Sequence, residues 1–310
     1  MNKRIAVIGA GAVGGYFGGV LARAGADVVL IGRKSFADSV NSRGLFLDTL
    51  HFQEHIRVHA STELSACRDA DLILFCVKTR DTIATARELA PFLTPHTTVV
   101  SLQNGVENVD QIRAAAGGDP IAAAVYVAVS VPEPAHVRHA GRGDLVIGPV
   151  SPRAKAVAEV FERAKIPCRI SVEITGELWT KLLWNCALNA VSALGRARYR
   201  EVAGNEDARK LVRTIVDEFM AVARAAGVYL VGVPNADAGF AGAMKIATDM
   251  AGAYSSTAQD LQRGRPTEID SLNGFIARRG AELGVETPVN QALFTLVKLM
   301  ESGLVSCGAT

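Results

Sequence analysis

Cysteines and long hydrophobic runs are scarce in this sequence. Its five cysteines are an odd number without any C-x-x-C pair, so we expect reduced thiols in a reducing compartment. Cys76 and Cys186 lie within apolar segments, which is typical of core residues rather than nucleophiles. Glycines break the apolar run Ile5 to Ile8 at once, and no cleavage site or span of about 20 apolar residues follows it. These absences predict a cytoplasmic chain without a membrane span.

Charge is also low and almost balanced. The net charge is +2 and no basic run exceeds two residues, which excludes the electrostatic footprint of a nucleic-acid-binding protein. With 49% apolar and 21% charged residues, the composition is that of a well-buried soluble protein. Its 310 residues exceed what one hydrophobic core usually serves, and no internal repeat or low-complexity linker is visible. We therefore expect two domains.

The sequence does contain a long, mostly apolar helical pattern from Ile174 to Leu194. Its apolar residues recur around most of the circumference, which predicts a largely buried helix. Five polar residues nevertheless recur every three or four positions and so share one face. They are Glu177, Lys181, Asn185, Asn189 and Ser192. Because Asn is a poor helix former and buried polar groups need partners, we favour a ligand cleft along this face over a solvated surface.

A glycine-rich turn opens the chain. The strand predicted for Lys3 to Ile8 is followed by G-x-G-x-x-G and by a helix rich in small residues that ends at Gly25. In this order Gly9 permits a tight turn, Gly11 lets the backbone approach a pyrophosphate, and Gly14 lets the helix lie close to the strand. The N–H groups at the helix start are available to the anion. We predict a dinucleotide site formed by Gly9, Ala10, Gly11, Ala12, Val13 and Gly14.

The second predicted strand, Val28 to Ile31, indicates which dinucleotide binds. It ends in Gly32-Arg33-Lys34, where enzymes that use NAD usually carry Asp or Glu to bind the ribose hydroxyls. An acidic residue would repel the 2′-phosphate of NADP, whereas Arg33, and with it Lys34, can form charge-assisted hydrogen bonds to it. The alternative is that both basic residues merely occupy a loop. We favour NADP(H) as the cofactor.

Three histidines, His51, His55 and His59, recur every four residues and raise the question of a metal. The alternation around Ile56 and Val58 is instead typical of an edge strand whose other face is solvated. No zincin-type H-E-x-x-H motif is present. We predict no metal site.

Further apolar strands follow before residue 172. Asp71 to Val77 ends at Lys78, and Thr97 to Leu102 ends at Gln103-Asn104-Gly105. Ligands of open parallel sheets bind beyond the carboxyl ends of strands, so Lys78 and Asn104 should reach a bound nucleotide. A simple turn is the alternative for Asn104-Gly105.

Later elements are predicted at Ile121 to Val129 (strand), Val137 to His139 with Leu145 to Ile147 (hairpin), Pro152 to Lys165 (helix) and Cys168 to Ile170 (strand).

From Glu173 onward only helical patterns remain. Besides Ile174 to Leu194, helices are predicted at Asn205 to Ala226, Ala236 to Met250, Ser256 to Arg263, Glu268 to Leu283 and Val289 to Glu301. We therefore predict an α/β nucleotide-binding domain over residues 1–172 and an all-α domain over residues 173–310. In the second domain Ser256-x-x-Gln259 fits a capping box, although a hydroxyl at a helix start also suits a carboxylate ligand.

Together these motifs resemble the ketopantoate reductase (2-dehydropantoate 2-reductase) family over nearly the whole chain. The matching segments are Gly9-x-Gly11-x-x-Gly14, Lys78, Gln103-Asn104-Gly105, Glu177-Leu178-Trp179-x-Lys181-Leu182-x-x-Asn185, Asn189, Ser256-x-x-Gln259-Asp260 and Thr267-Glu268-Ile269-Asp270-x-x-Asn273-Gly274. The fold implied by the resemblance is an N-terminal Rossmann-type domain followed by an all-α helical bundle. An apolar helical domain is also compatible with a homodimer.

The resemblance also implies an activity, the NADPH-dependent reduction of 2-dehydropantoate to pantoate in pantothenate and coenzyme A biosynthesis. Lys181 matches the general acid of such enzymes, which neutralises the negative charge that hydride transfer leaves on the ketone oxygen. The residues that match substrate-binding positions are Asn104, Asn185, Asn189 and Ser256. Those that match positions near the cofactor are Lys78, Asn104 and Glu268, of which Glu268 also positions substrate and lysine.

The sequence departs from the family at several positions. Ala253 replaces a polar substrate-contacting residue of some members, Thr257-Ala258 replaces a common Met-Leu pair, and Trp184 is large. These changes bear on the identity of the substrate more than on the reaction, so a paralogue that reduces another small 2-oxo acid is the first alternative.

Two further alternatives differ in class. A 3-hydroxy acid dehydrogenase of the 6-phosphogluconate type shares the glycine fingerprint but has another motif around its lysine. A non-catalytic NADPH sensor would not require Lys181, Asn185 and Glu268.

Overall fold

The computed structural model describes the backbone of residues 3–307 and the side chains of residues 3–303. The chain divides into two compact units, Met1–Ile174 and Thr175–Thr310. All ten strands of the sheet lie in the first unit, and the described part of the second is helical. The predicted α/β domain followed by an all-α domain is confirmed. Among residues 3–307, no helix is long and apolar enough to cross a membrane.

The first unit alternates strands and helices. Its strands are β1 Arg4–Ile8, β2 Asp27–Ile31, β3 Leu45–Asp48, β4 Gln53–Ile56, β5 His59–Ser61, β6 Leu72–Phe75, β7 Thr98–Ser101, β8 Ile121–Ser130, β9 His136–Gly148 and β10 Cys168–Ile170. Its helices are α1 Ala12–Arg23, α2 Lys34–Arg43, α3 Thr82–Leu89, α4 Asn108–Ala116 and α5 Pro152–Arg163. The strand order is β4-β3-β9-β8-β7-β6-β1-β2-β5, and β10 pairs with β9.

The central strands are parallel, from β5 through β2, β1, β6 and β7 to β8. Alternate residues therefore enter different cores on the two faces of the sheet. Ile5 and Val7 of β1 pack with Phe17 of α1 on one face, while Ala6 and Ile8 pack with α3 and α4 on the other. Burial on both faces is why these strands are continuous apolar runs in the sequence.

The hairpin predicted at Val137 to His139 and Leu145 to Ile147 is wrong. Both segments belong to the single strand β9, which pairs antiparallel with β8. The sequence Gly141-Arg142-Gly143 resembles a turn, but the chain continues through it with register shifts opposite Tyr126 to Val129. Arg142 has a φ of 57° there. The segment between the two glycines therefore forms a bulge within β9 instead of a reversal of the chain direction.

The second unit comprises seven helices in its described part. They are α6 Ile174–Leu194, which begins at the last residue of the first unit, α7 Tyr199–Gly204, α8 Glu206–Ala225, α9 Ala236–Asp249, α10 Ser256–Gln262, α11 Asn273–Leu283 and α12 Pro288–Cys307. Helix α6 has the predicted bounds and is largely buried, with Trp179 packed edge-on against Phe219 and Phe275. The helix predicted from Glu268 is wrong at its start, because Ile269–Ser271 is a separate 3-10 turn before α11.

A buried carboxylate belongs to a hydrogen-bond network that joins four helices of this unit. Glu218 of α8 accepts hydrogen bonds from the backbone N–H groups of Val289 and Asn290 at 2.8 and 2.9 Å, and from Asn290 Nδ2 at 2.7 Å. Asn290 Oδ1 accepts from Asn273 Nδ2 at 3.0 Å, and the same Asn273 nitrogen donates to the Cys186 carbonyl of α6 at 3.1 Å. The starts of α11 and α12 are thereby fixed to α8 and α6.

Candidate active site

The glycine turn after β1 is packed tightly against two neighbouring strands. Gly9 has a φ of +85°, and a Cβ atom there would lie 2.6 Å from the backbone nitrogen of Val77. The N–H groups of Gly9 and Ala10 both donate to the Ile31 carbonyl of β2 at 2.9 Å. A Cβ atom on Gly14 would lie 2.5 Å from the Gly9 carbonyl oxygen. Gly9 and Gly14 are therefore required by the packing of the turn itself.

Gly11 differs from these two glycines. Among the described residues, the atom nearest to a Cβ on Gly11 would be the Gly9 carbonyl oxygen, at 4.0 Å. Helix α1 begins at the next residue, with an apolar first turn. The first N–H groups of an α-helix have no acceptor within the helix and carry its positive dipole end. Open space beside unshielded N–H groups fits the pyrophosphate of a dinucleotide.

The end of β2 lies directly beside this turn. A Cβ atom on Gly32 would be 3.5 Å from Cβ of Ala10, and the next residue, Arg33, is exposed at the start of α2. Lys34 forms an ion pair with Asp38 at 2.8 Å within the same helix. Arg33 is thus the better candidate of the two to meet a phosphate of the cofactor.

Lys78 and Asn104 follow β6 and β7, which are adjacent in the sheet beside β1. Their loops are joined by a hydrogen bond from Thr79 Oγ1 to the Asn104 carbonyl at 2.9 Å. Buried Gln103 joins them again, since its Nε2 donates to the Val77 carbonyl at 3.0 Å and to Thr82 Oγ1 at 2.7 Å. The carboxyl ends of β2, β1, β6 and β7 thus carry Arg33, the glycine turn, Lys78 and Asn104 in one row.

In the second unit, α6 carries the polar face predicted from the sequence. Between Gly176 and Ala193, a stretch described in full, the partly exposed side chains are Leu178, Lys181, Trp184 and Asn185. Ser192 is fully buried, and its hydroxyl donates to the Ala197 carbonyl at 2.7 Å. The polar face therefore has an accessible portion around Lys181 and Asn185 and a structural portion at its carboxyl end.

Asn189 lies between these two portions and is hydrogen-bonded on both sides of its amide. Its Oδ1 accepts from the Tyr199 hydroxyl at 3.1 Å, and its Nδ2 donates to Ser256 Oγ at 3.4 Å. Burial raises the pKa of Tyr199, so its hydroxyl stays protonated. The structure brings together the predicted residues Asn189 and Ser256 from different helices, and it adds Tyr199, which the sequence motifs did not indicate.

The capping box predicted at Ser256 is wrong. The residue that caps α10 is Ser255, whose Oγ accepts from the N–H of Ala258 at 3.1 Å. The same hydroxyl donates to the Asn189 carbonyl at 2.9 Å, which a residue one position later could not also do. Ser256 is the first helical residue and is exposed, so its hydroxyl is not used as a cap.

The segment that carries Glu268 is attached to α12. Glu301 Oε1 accepts from the N–H and the hydroxyl of Thr267 at 2.7 and 2.5 Å, and Lys298 pairs with Asp270 at 3.0 Å and with Glu301 at 2.9 Å. Although burial acts to raise it, the hydrogen bonds from Thr267 and Lys298 hold the pKa of Glu301 below its usual range. These contacts fix the backbone on both sides of the partly exposed Glu268.

The structure also bears on Cys76, Cys186 and the histidines of residues 51–59. Burial raises the pKa of the Cys76 and Cys186 thiols, which fits core residues rather than nucleophiles. Strands β4 and β5, which carry His55 and His59, lie at opposite edges of the sheet. Among the side chains of residues 3–303, no group of three His, Cys, Asp or Glu residues is arranged to hold a metal ion.

Comparison with known proteins assigns the family. The family model Ketopantoate reductase PanE/ApbA matches residues 5–152, and Ketopantoate reductase PanE/ApbA C terminal matches residues 173–301. A 2-dehydropantoate 2-reductase of Pyrococcus abyssi is 31% identical over 304 residues, which cover 96% of this chain and 98% of that protein. The chain belongs to the ketopantoate reductase family. It is accordingly an oxidoreductase, and the resemblance inferred from its motifs is confirmed.

Solved structures of similar fold include other oxidoreductases. A PanE/ApbA family ketopantoate reductase from Ralstonia eutropha JMP134 is 45% identical with a TM-score of 0.92, and the match covers 97% of this chain and 99% of that one. A D-mandelate dehydrogenase, solved with NADH and anilino(oxo)acetate, is 25% identical with a TM-score of 0.90 over the same shares of the two chains. The ketopantoate reductase family fold therefore extends to a dehydrogenase with another substrate.

Proposed function

We propose that this member of the ketopantoate reductase family catalyses the NADPH-dependent reduction of 2-dehydropantoate to pantoate, a step of pantothenate biosynthesis. The observation that carries the proposal is the accessible portion of α6, where Lys181 and Asn185 are partly exposed on a largely buried helix. An ammonium and an amide one helical turn apart can bind the oxygen atoms of a 2-oxo acid. Cofactor binding alone would require neither residue.

The chemistry divides between cofactor and protein. When bound, the nicotinamide supplies the hydride to the ketone carbon. Lys181 donates a proton from Nζ to the ketone oxygen and stabilises the negative charge that develops there. Asn185, Asn189, Ser256 and Asn104 hold the polar groups of the substrate, and Glu268 keeps substrate and ammonium in register. Arg33, Lys78 and residues 9–14 bind the cofactor.

A second candidate is the reduction of another small 2-oxo acid. The similarity to a D-mandelate dehydrogenase bound to an aromatic 2-oxo acid analogue favours it, together with Ala253 and Trp184 in place of common family residues. The same acid-base chemistry would serve both substrates.

A substrate panel separates the candidates. NADPH oxidation should be measured spectrophotometrically with ketopantoate, pyruvate, 2-oxobutyrate and phenylglyoxylate. We expect the highest kcat/KM for ketopantoate. A higher kcat/KM for another acid would assign the chain to a paralogous activity, and the absence of turnover with every acid would overturn the proposed reaction.

Cofactor preference is tested at Arg33. Each charge-assisted hydrogen bond to the 2′-phosphate contributes about 1.5 to 3 kcal/mol, so we expect at least a tenfold preference for NADPH over NADH. Arg33→Ala should remove most of this preference, measured as the ratio of kcat/KM values for the two cofactors. Lys34→Ala is the matched control, because Lys34 is paired with Asp38, and it should change the ratio little. Equal use of both cofactors by the unmodified protein would contradict the assignment.

The two kinds of glycine in the turn should respond differently to alanine. Gly11→Ala adds a methyl group to open space, so the protein should unfold near its normal temperature but bind NADPH about tenfold or more weakly. Gly9→Ala places the methyl group against backbone atoms at a positive φ, a strain of roughly 1 to 3 kcal/mol, and should lower the unfolding temperature. Calorimetry and fluorescence titration with NADPH measure both effects. Similar behaviour of the two variants would show that Gly11 has no special place in cofactor binding.

A further inference from the structure

Tyr199 is a buried tyrosine with well-defined hydrogen bonds close to residues of the proposed substrate site. Only 7% of its surface is exposed, and its backbone N–H donates to the Ala253 carbonyl at 3.0 Å. Its hydroxyl donates to Asn189 Oδ1 at 3.1 Å. Since burial keeps this hydroxyl protonated, it is a permanent donor at neutral pH.

The donor from Tyr199 determines how the Asn189 amide is oriented. An Asn amide has one accepting and one donating end, and here the oxygen end faces the Tyr199 hydroxyl and accepts from it. With Oδ1 held by Tyr199, Nδ2 faces Ser256 Oγ at 3.4 Å. The backbone of Asn189 is held as well, because its carbonyl accepts from Ser255 Oγ at 2.9 Å.

This orientation has a consequence for Ser256. A serine hydroxyl has one hydrogen to donate and lone pairs that accept. The Asn189 N–H occupies a lone pair, and Ser255 rather than Ser256 caps the helix. Ser256 is exposed while Asn189 is 4% exposed, so the hydroxyl hydrogen of Ser256 can be directed to an incoming acceptor.

We propose that Tyr199 is a positioning residue that orients Asn189 and thereby makes Ser256 a hydrogen-bond donor to the carboxylate of the 2-oxo acid. This inference rests on the proposed function. The hydrogen bonds run in one direction, from the Tyr199 hydroxyl to Asn189 Oδ1, from Asn189 Nδ2 to Ser256 Oγ, and from the Ser256 hydroxyl to the substrate. Tyr199 itself contacts no reacting atom, so it should affect substrate binding and leave the chemical step almost unchanged.

Tyr199→Phe removes only the hydroxyl and tests the proposal. With the best acid of the panel, KM should rise roughly tenfold, while kcat stays within about twofold and the Kd for NADPH is unchanged. Tyr229→Phe is the matched control, since Tyr229 is 68% exposed, and it should leave KM unchanged. A purely structural loss would instead lower the unfolding temperature and reduce kcat together with substrate affinity.

A double-mutant cycle decides whether Tyr199 acts through Ser256. If it does, Ser256→Ala should raise KM, and the Tyr199→Phe/Ser256→Ala protein should have nearly the same KM as Ser256→Ala alone. Additive increases in KM, or an unchanged KM in Tyr199→Phe, would overturn this inference while normal turnover by the unmodified protein upholds the proposed function. Absence of turnover by the unmodified protein with every acid would overturn both.

Discussion

Lys181→Met is expected to lower kcat by roughly 10²- to 10⁴-fold, which corresponds to about 3 to 5 kcal/mol of transition-state stabilisation. Methionine keeps an unbranched stem on the partly exposed portion of α6 but removes the proton and the charge. The affinity for NADPH should change little, because the residues proposed to bind its phosphates belong to the first unit. Single-turnover kinetics at saturating substrate, with a separate titration of NADPH, measure the two quantities.

Two controls make this expectation specific. Lys210→Met removes an exposed ammonium from α8 and should leave kcat unchanged. Glu268→Gln should act more through the KM of the 2-oxo acid than through cofactor binding. A near-normal kcat in Lys181→Met would assign the proton to another residue, and so would a variant whose main defect is loss of NADPH binding.

The elements that the sequence predicted well are those with a strong local pattern. The central strands are buried on both faces and therefore read as apolar runs, and the glycine turn after β1 has a backbone that only glycine tolerates at Gly9. Helix α6 has the predicted bounds because its apolar periodicity is long and uninterrupted. Because the strands are parallel and adjacent, Arg33, Lys78 and Asn104 then lie together at the carboxyl ends of the strands.

The elements that it missed depend on contacts between distant residues. Ser255 caps α10 instead of Ser256, and its hydroxyl also donates to the Asn189 carbonyl. Asn189 is distant in the sequence, so no local pattern could reveal this contact. Gln103 belonged to a recognised motif, yet its function as a buried link between two loops depends on Val77 and Thr82. The local sequence of β9 likewise predicts a hairpin where the structure has a bulge, because it is the pairing with β8 that keeps the chain extended there.

Glu218→Ala is expected to cause the largest loss of stability, because three donors lose the buried carboxylate that accepts from them. The N–H groups of Val289 and Asn290 lie in the first turn of α12 and donate to this carboxylate. A buried donor left without an acceptor costs about 1 to 3 kcal/mol. These costs do not add fully, so we expect a loss of roughly 3 kcal/mol. A lower unfolding temperature should accompany faster hydrogen exchange of the first amides of α12.

Two variants separate this effect from a simple loss of charge. Glu282→Ala removes a carboxylate that is 62% exposed and paired with Arg279, so stability should change by no more than about 0.5 kcal/mol. Glu218→Gln keeps the shape but turns one oxygen into a donor that faces N–H groups, and its loss should be intermediate. Asn290 is linked through Asn273 to the Cys186 carbonyl of α6, the helix that carries Lys181 and Asn185. Glu218→Ala should therefore also lower kcat at temperatures below its unfolding transition. Stability equal to that of Glu282→Ala would mean that water replaces the carboxylate at the start of α12.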